Sequence, residues 1–258
     1  MHVEVLGSGT PEYAIVAGVH GDETCGWHAY NQLKSSDLSL RQPLKFVLAN
    51  ERAFHQGVRY CEADLNRVMP GDPTSDVYEE RLAAALYEEL QGMKVLDFHD
   101  TESRSCPFAI ITGDSATSLA LARSTGLDQV VDMSYMEGGV TQSLEGVVVE
   151  CGYHDDVEAA TLAYDILRNF LAAEGLIEAD FTRSDPSVFR VVGEEPGRGF
   201  QFTAENFRRV EPGEVFARKE DAQRRAEEPF YPVLMSTNGY ESRIGFKAQR
   251  VETPVPRR

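Results

Sequence analysis

The chain has 258 residues, 42% of them hydrophobic, and a formal net charge of −17. That is too much apolar material for a disordered chain and enough for one large domain, or for a core of about 150–200 residues with a small second domain. That net charge argues against a nucleic-acid partner, whose phosphate backbone demands basic patches, and the acids are spread along the chain rather than gathered in a tail. The longest apolar runs are strand-length, far short of the roughly 20 residues of a membrane span.

The start, MHVEVLGSGT, offers neither the basic nor the apolar region of a secretory leader. Cys25, Cys61, Cys106 and Cys151 are widely separated with no CxxC spacing, so reduced thiols and a cytoplasmic location are expected. The 25 basic residues include only the lysines Lys34, Lys45, Lys94, Lys219 and Lys247. An acidic, lysine-poor surface suits a cytoplasm at very high salt, where self-repulsion is screened. A halophilic source is expected, with an ordinary acidic soluble protein as the alternative.

In chain order, YAIVAGV (13–19) predicts a buried strand that runs straight into His20, Gly21, Asp22 and Glu23. Capping the following helix, predicted over 23–35, would need only Asp22. His20 and Glu23 are three apart, which puts both side chains on one side of a turn or first helical turn. A second strand, 44–50, leads into NERAFHQGVRYCEADLNRVMPG (50–71). This block gathers Asn50, Arg52, Arg59, Asp64, Asn66 and Arg67. Guanidinium forks match carboxylates, so it reads as an anion site, or else as a solvated loop held by Arg–Asp pairs. A helix over 75–91 precedes the strand MKVLDFH (93–99), which closes on His99. Strand 107–112, helix 114–126, strand 145–152 and helix 155–175 complete the series. The last helix has Asp155 and Asp156 as cap candidates and Gly175 at its end. Apolar strands alternating with helices predict an α/β fold with a mostly parallel or mixed central sheet flanked by helices.

Near residue 180 the texture changes to short strand-like pieces broken by Pro and Gly. The division expected is an α/β domain at 1–180 and a small β-rich domain at 181–258 that caps the site. Within the latter, KEDAQRRAEE (219–228) reads as a turn or more of helix, and the tail VETPVPRR as loosely held.

His20 with Glu23, and separately His99, close apolar strands, at the edge where open α/β sheets collect ligands. Two histidines and a glutamate form a catalytic zinc set that leaves a fourth position open, although H-x-x-E alone is a weak signal. Glu150 follows three valines. It is either an ordinary strand-exit or ion-paired acid, or a partly desolvated carboxylate whose pKa is raised toward that of a general base.

GVHGDE (18–23), NERAFHQGVRYCEADLNR (50–67), DFHDT (97–101) and VVVECG (147–152) stand in the order and spacing of the succinylglutamate desuccinylase/aspartoacylase family, within the zinc carboxypeptidase-like superfamily. The chain resembles that family over 18–152, and in strand–helix order to about residue 180. The resemblance implies one zinc ion per chain, held by His20, Glu23 and His99. It implies Glu150 as general base and then acid for the leaving amine, and Arg59 as the cation at the scissile carbonyl. Asn66 and Arg67 would hold a substrate carboxylate. Tyr240, in STNGYESR, is either the C-terminal tyrosine that leans into the site in relatives or a plain turn tyrosine.

Two departures matter. Relatives specific for aspartate carry an arginine about ten residues before the catalytic glutamate, and here YMEGGVTQSLEG (135–146) has none. The chain is also shorter than typical members. The expected activity is a zinc-dependent amidohydrolase acting on an N-acyl amino acid or related small carboxylate, with a homo-oligomer left open. The rival readings are a metallocarboxypeptidase acting on peptides and a non-catalytic zinc-binding relative. His2, His28, His55 and His154 belong to no motif and read as surface or packing residues. Cys25, Cys61 and Cys151 read as small buried residues.

Overall fold

The computed structural model describes residues 1–103, 106–113, 115–154, 156–237 and 240–252. Asp155 and most of the C-terminal tail therefore lie outside the described residues. The first part of the chain runs β1 (His2–Leu6), β2 (Tyr13–Ala17), α1 (Cys25–Ser35), β3 (Leu44–Leu48), α2 (Glu51–Gln56), a 3-10 turn (Leu65–Arg67), α3 (Tyr78–Leu90), β4 (Lys94–Thr101), β5 (Phe108–Ile111), α4 (Ala116–Ser124), β6 (Gln129–Asp132), α5 (Val140–Ser143), β7 (Gly146–Tyr153) and α6 (Val157–Ala173). The remainder is β8 (Ser187–Pro196), β9 (Gln201–Phe202), β10 (Val215–Lys219), β11 (Ala222–Arg225), β12 (Tyr231–Val233) and β13 (Arg243–Val251).

Ten strands form one mixed sheet in the order β1-β3-β2-β4-β7-β5-β6-β8-β13-β12, and β11-β10-β9 form a separate three-stranded sheet. β3, β2, β4 and β7 run parallel, as do β5, β6 and β8, while β5 lies antiparallel to β7. Beyond residue 180, β8, β13 and β12 thus extend the main sheet and only β9–β11 stand apart.

The central strands are buried on both faces, which is why they read as unbroken apolar runs. Ile15, Phe46, Phe98 and Val149 pack with α1, α4 and α6 on one face. Val16, Val47 and Val95 pack with Leu82, Leu86 and Leu90 of α3 on the other. That second face continues past β7 into an apolar cluster that includes Phe108, Ile110, Val148 and Phe246. Asp156 caps α6 by accepting from the Glu158 N–H.

The short helices α2 and α5 were not expected, and three further elements depart from the expectation. β1 and β6 were not foreseen: β1 is a half-exposed edge strand without an apolar run, and β6 is only four residues long. Residues 219–228 make no helix. They belong to a β10–β11 hairpin with Lys219 opposite Ala222. The stretch lacks an apolar helical stripe, and pairing instead lets Phe216, Ala217 and Ala226 join one small core with Phe230. Among the described residues no helix is long and apolar enough to cross a membrane.

Candidate active site

The site sits at the carboxyl ends of β2, β4 and β7. After β2 the chain turns on Gly18, in the left-handed region at φ 63°, and the Glu23 N–H donates to the His20 carbonyl at 3.2 Å. Gly21 must be glycine: a Cβ there would lie 2.2 Å from the carbonyl carbon of Ala53 in α2. The turn is pressed against α2, and it carries His20 and Glu23 inward.

Glu23 forms the centre. Its Oε1 is 2.8 Å from His20 Nδ1 and its Oε2 is 2.8 Å from His99 Nδ1. The two imidazoles are 4.9 Å apart and inclined at 76°. The far nitrogen of each ring also faces a carboxylate, His20 Nε2 to Asp64 Oδ1 at 3.2 Å and His99 Nε2 to Asp97 Oδ2 at 3.1 Å. All three residues are buried. Burial alone would raise the Glu23 carboxyl, but the His20 and His99 charges hold it well below the usual range. Burial alone would lower His99, but Asp97 and Glu23 raise it well above its ordinary value. One donor atom from each of His20, Glu23 and His99 lies within 4.8 Å of the others. Two imidazole nitrogens and a carboxylate oxygen suit zinc. A carboxylate behind each ring fixes its tautomer and orientation, as in carboxylate–histidine–metal sites.

Glu150 stands next to His99, its register partner across β4 and β7. Its Oε2 is buried without a hydrogen-bond partner among the described residues. Burial pushes the carboxyl up to about 8, against the pull of His99 and Arg59.

Arg59 arrives from the loop after α2, with NH1 3.0 Å from Glu23 Oε1 and NH2 3.7 Å from Asp64 Oδ2. This loop is held from below by Glu79, which is fully buried in α3. Glu79 Oε1 accepts from the Cys61 N–H (2.7 Å) and Asn50 Nδ2 (3.2 Å), and Oε2 accepts from the Glu62 and Ala63 N–H groups (both 3.0 Å). Asp64 caps the 3-10 turn by accepting from the Asn66 N–H at 2.9 Å. Asn66 Oδ1 accepts from Val140 N at 3.1 Å, which leaves its NH2 to be offered elsewhere. Arg67 is exposed, donates to the Asn66 carbonyl at 2.6 Å and makes no ion pair among the described residues.

His20, Glu23, Arg59, Asp64, Asn66, Arg67, His99 and Glu150 line one cavity of about 580 Å³ together with Tyr240. Burial, followed by the nearby Glu150 charge, raises the Tyr240 phenol well above its usual value. The structure therefore brings His20, Glu23, His99, Glu150, Arg59, Asn66, Arg67 and Tyr240 into one space. It also adds residues that the sequence reading passed over. His154, expected on the surface or in packing, lines the cavity with Nδ1 2.6 Å from Asp100 Oδ1. Arg243 lines it from β13. Asp97 could have been read from DFH, because positions two apart on a strand share a face. Cys61, expected to be buried, is half-buried, while Cys25 and Cys151 are buried.

Comparison with known proteins gives a consistent picture. Residues 9–164, more than half of the chain, match the model of the succinylglutamate desuccinylase/aspartoacylase catalytic domain. A probable aspartoacylase of Prochlorococcus marinus subsp. pastoris is 28% identical over 116 residues, 42% of this chain and 39% of that protein. A succinylglutamate desuccinylase of Shewanella piezotolerans is 32% identical over 90 residues, 29% of this chain and 26% of that one. The chain thus matches under two fifths of the length of these curated relatives. Among solved structures, a succinylglutamate desuccinylase/aspartoacylase from Rhodobacter sphaeroides superposes with a TM-score of 0.78 at 18% identity, covering 97% of this chain and 89% of that one. Murine aminoacylase 3 superposes at 0.72 and 20% identity, covering 95% and 97%. An ectoine utilization protein from Ruegeria pomeroyi, solved with product bound, superposes at 0.76 and 21% identity, covering 97% and 88%. At such identities these likenesses speak to the fold. Family model, motif order and fold agree, and the chain belongs to the succinylglutamate desuccinylase/aspartoacylase family.

Proposed function

We propose that the protein is a zinc-dependent amidohydrolase that cleaves an N-acyl amino acid, or a related small carboxylate, into a carboxylic acid and a free amine. The observation that carries this reading is the Nδ1–carboxylate–Nδ1 grouping of His20, Glu23 and His99 with a buried Glu150 oxygen beside it that has no hydrogen-bond partner among the described residues. Zinc held by these three residues would supply a Lewis acid and bring the pKa of water to about 7.

The remaining roles fall to the chain's own groups. Arg67 and the Asn66 amide hold the substrate carboxylate and orient the amide. Arg59 donates to the carbonyl oxygen as negative charge grows on it, an interaction worth a few kcal/mol (roughly 3) when such a donor is fixed in place. Glu150 takes a proton from the attacking water and delivers it to the leaving nitrogen. Its raised pKa suits a group that must both accept and release a proton near neutrality. Asp64 and Asp97 keep the imidazoles oriented. No covalent intermediate with the enzyme is required.

A peptidase would need a cleft open to a chain. Leu234, Tyr240 and Phe246 wall a cavity of about 580 Å³ here, which favours a small substrate. The non-catalytic alternative predicts a broken ligand or base set, and all four central residues are present. The test is amine release from a panel of N-acyl amino acids in molar KCl, with and without chelator and with zinc added back. Chelator-sensitive release restored by zinc supports the reading. Silence across the panel with zinc bound contradicts it.

A further inference from the structure

Part of the cavity lining is a contiguous apolar group. Val148 lies two residues before Glu150, and so on the same face of β7. Its antiparallel partner is Ile110 of β5. Met133, Leu234 and Phe246 join them in lining the cavity. All five belong to one buried cluster with Phe108 and Phe189, so this floor is backed by packed side chains.

The cations around the cavity are unevenly committed. Arg59 is engaged with Glu23 and Asp64. Arg243 has NH1 2.6 Å from Glu194 Oε2 and lies over the Tyr240 and Phe246 rings at 5.4 and 5.2 Å. Arg67 alone of the three lining arginines makes no ion pair among the described residues. The segment 135–146 places Met136, Gly139 and Thr141 in the wall and has no arginine to offer. The acids Glu102, Glu137 and Glu241 lie at exposed positions on the rim, where a charge stays solvated and attracts weakly.

Resting on the amidohydrolase reading, we infer that the substrate carries a single carboxylate, held at Arg67, and an uncharged apolar group that lies on the Ile110–Met133–Val148–Leu234–Phe246 floor. A second carboxylate placed there would lose its hydration with no uncommitted cation among the described residues to receive it. The apolar group is supplied either by the acyl chain or by the amino-acid side chain, and both present the same chemistry to the floor.

Two substrate series separate these sources. One lengthens the acyl group on alanine from formyl through acetyl and butyryl to hexanoyl. The other keeps acetyl and varies the amino acid through alanine, norvaline, leucine and phenylalanine, with aspartate, glutamate and lysine for comparison. In one series kcat/KM should rise about fourfold per buried methylene until the floor is covered. N-acetylaspartate and N-acetylglutamate should fall at least about a hundredfold below the apolar members. Binding of the preferred analogue, followed by calorimetry, should have a more negative heat-capacity change than binding of the alanine parent. The half-buried Met136 gives a second test. Met136→Arg adds a guanidinium beside Arg243, whose NH1 is 4.0 Å from the Met136 sulfur. It should shift the glutamate-to-leucine ratio of kcat/KM upward at least tenfold, roughly the value of one ion pair in a partly desolvated site. Zinc-dependent cleavage that prefers a dicarboxylate or lysine substrate, or that is flat along both series, overturns this inference and leaves the amidohydrolase standing. Cleavage of no member by the zinc-loaded protein overturns both.

Discussion

Replacing Glu79 tests how the catalytic arm is held. Its carboxylate binds three successive backbone N–H groups and the Asn50 amide from inside α3, and so fixes the loop between Arg59 and Asp64. Glu79→Gln retains one acceptor oxygen but turns an NH2 toward two of those donors. Two charge-assisted bonds are lost at about 1.5 kcal/mol each, giving roughly 3 kcal/mol in all. A domain with ordinary stability of about 5–15 kcal/mol remains folded. Part of the cost is local, because the loop that aims Arg59 loosens and kcat should drop about 10- to 100-fold. A pH dependence accompanies it. Burial would raise the Glu79 carboxyl, but the N–H groups it accepts from hold it below the usual value. Its contribution to stability is therefore complete above the unfolded pKa of about 4.3 and is lost as pH falls through the lower folded value. Urea unfolding between pH 3 and 7 should show wild type losing more stability on acidification than Glu79→Gln. A variant within 0.5 kcal/mol of wild type at pH 7 with unchanged kcat would refute the reasoning.

Other outcomes follow from the same geometry. Glu150→Gln should bind zinc as wild type does and lose turnover by roughly 10²–10⁴-fold, measured by amine release alongside metal analysis. His99→Ala should lose zinc outright, while Asp97→Asn should weaken it about 10- to 100-fold in a competition titration. With a net charge of −17, refolding should improve as KCl is raised to molar levels, and a refolding yield indifferent to KCl would count against halophily.

How much was legible in the sequence depended on whether a residue acts through the local chain. The central strands announced themselves because both faces are buried, and His20, His99 and Glu150 were conspicuous as polar residues closing apolar runs. Asp97 was equally readable from strand periodicity. Glu79, His154 and Arg243 were not, because the partners described above lie 16 to 29, 54 and 49 residues away, and each looks locally like an ordinary surface residue. β1 depends on antiparallel pairing with β3, which a five-residue, half-exposed segment does not signal alone. The 219–228 hairpin shows that a charged run with scattered alanines takes its structure from its neighbours. The apolar floor was hidden for a related reason: Ile110, Val148 and Phe246 come from three separate strands and meet only when the sheet forms.

The most direct measurement titrates zinc into chelator-stripped protein while following amine release from the best member of the N-acyl panel. The account predicts one zinc per chain, activity rising in proportion to occupancy and saturating at that stoichiometry. Equal amine release with no zinc bound, or full occupancy with no amide of the panel cleaved, would contradict it.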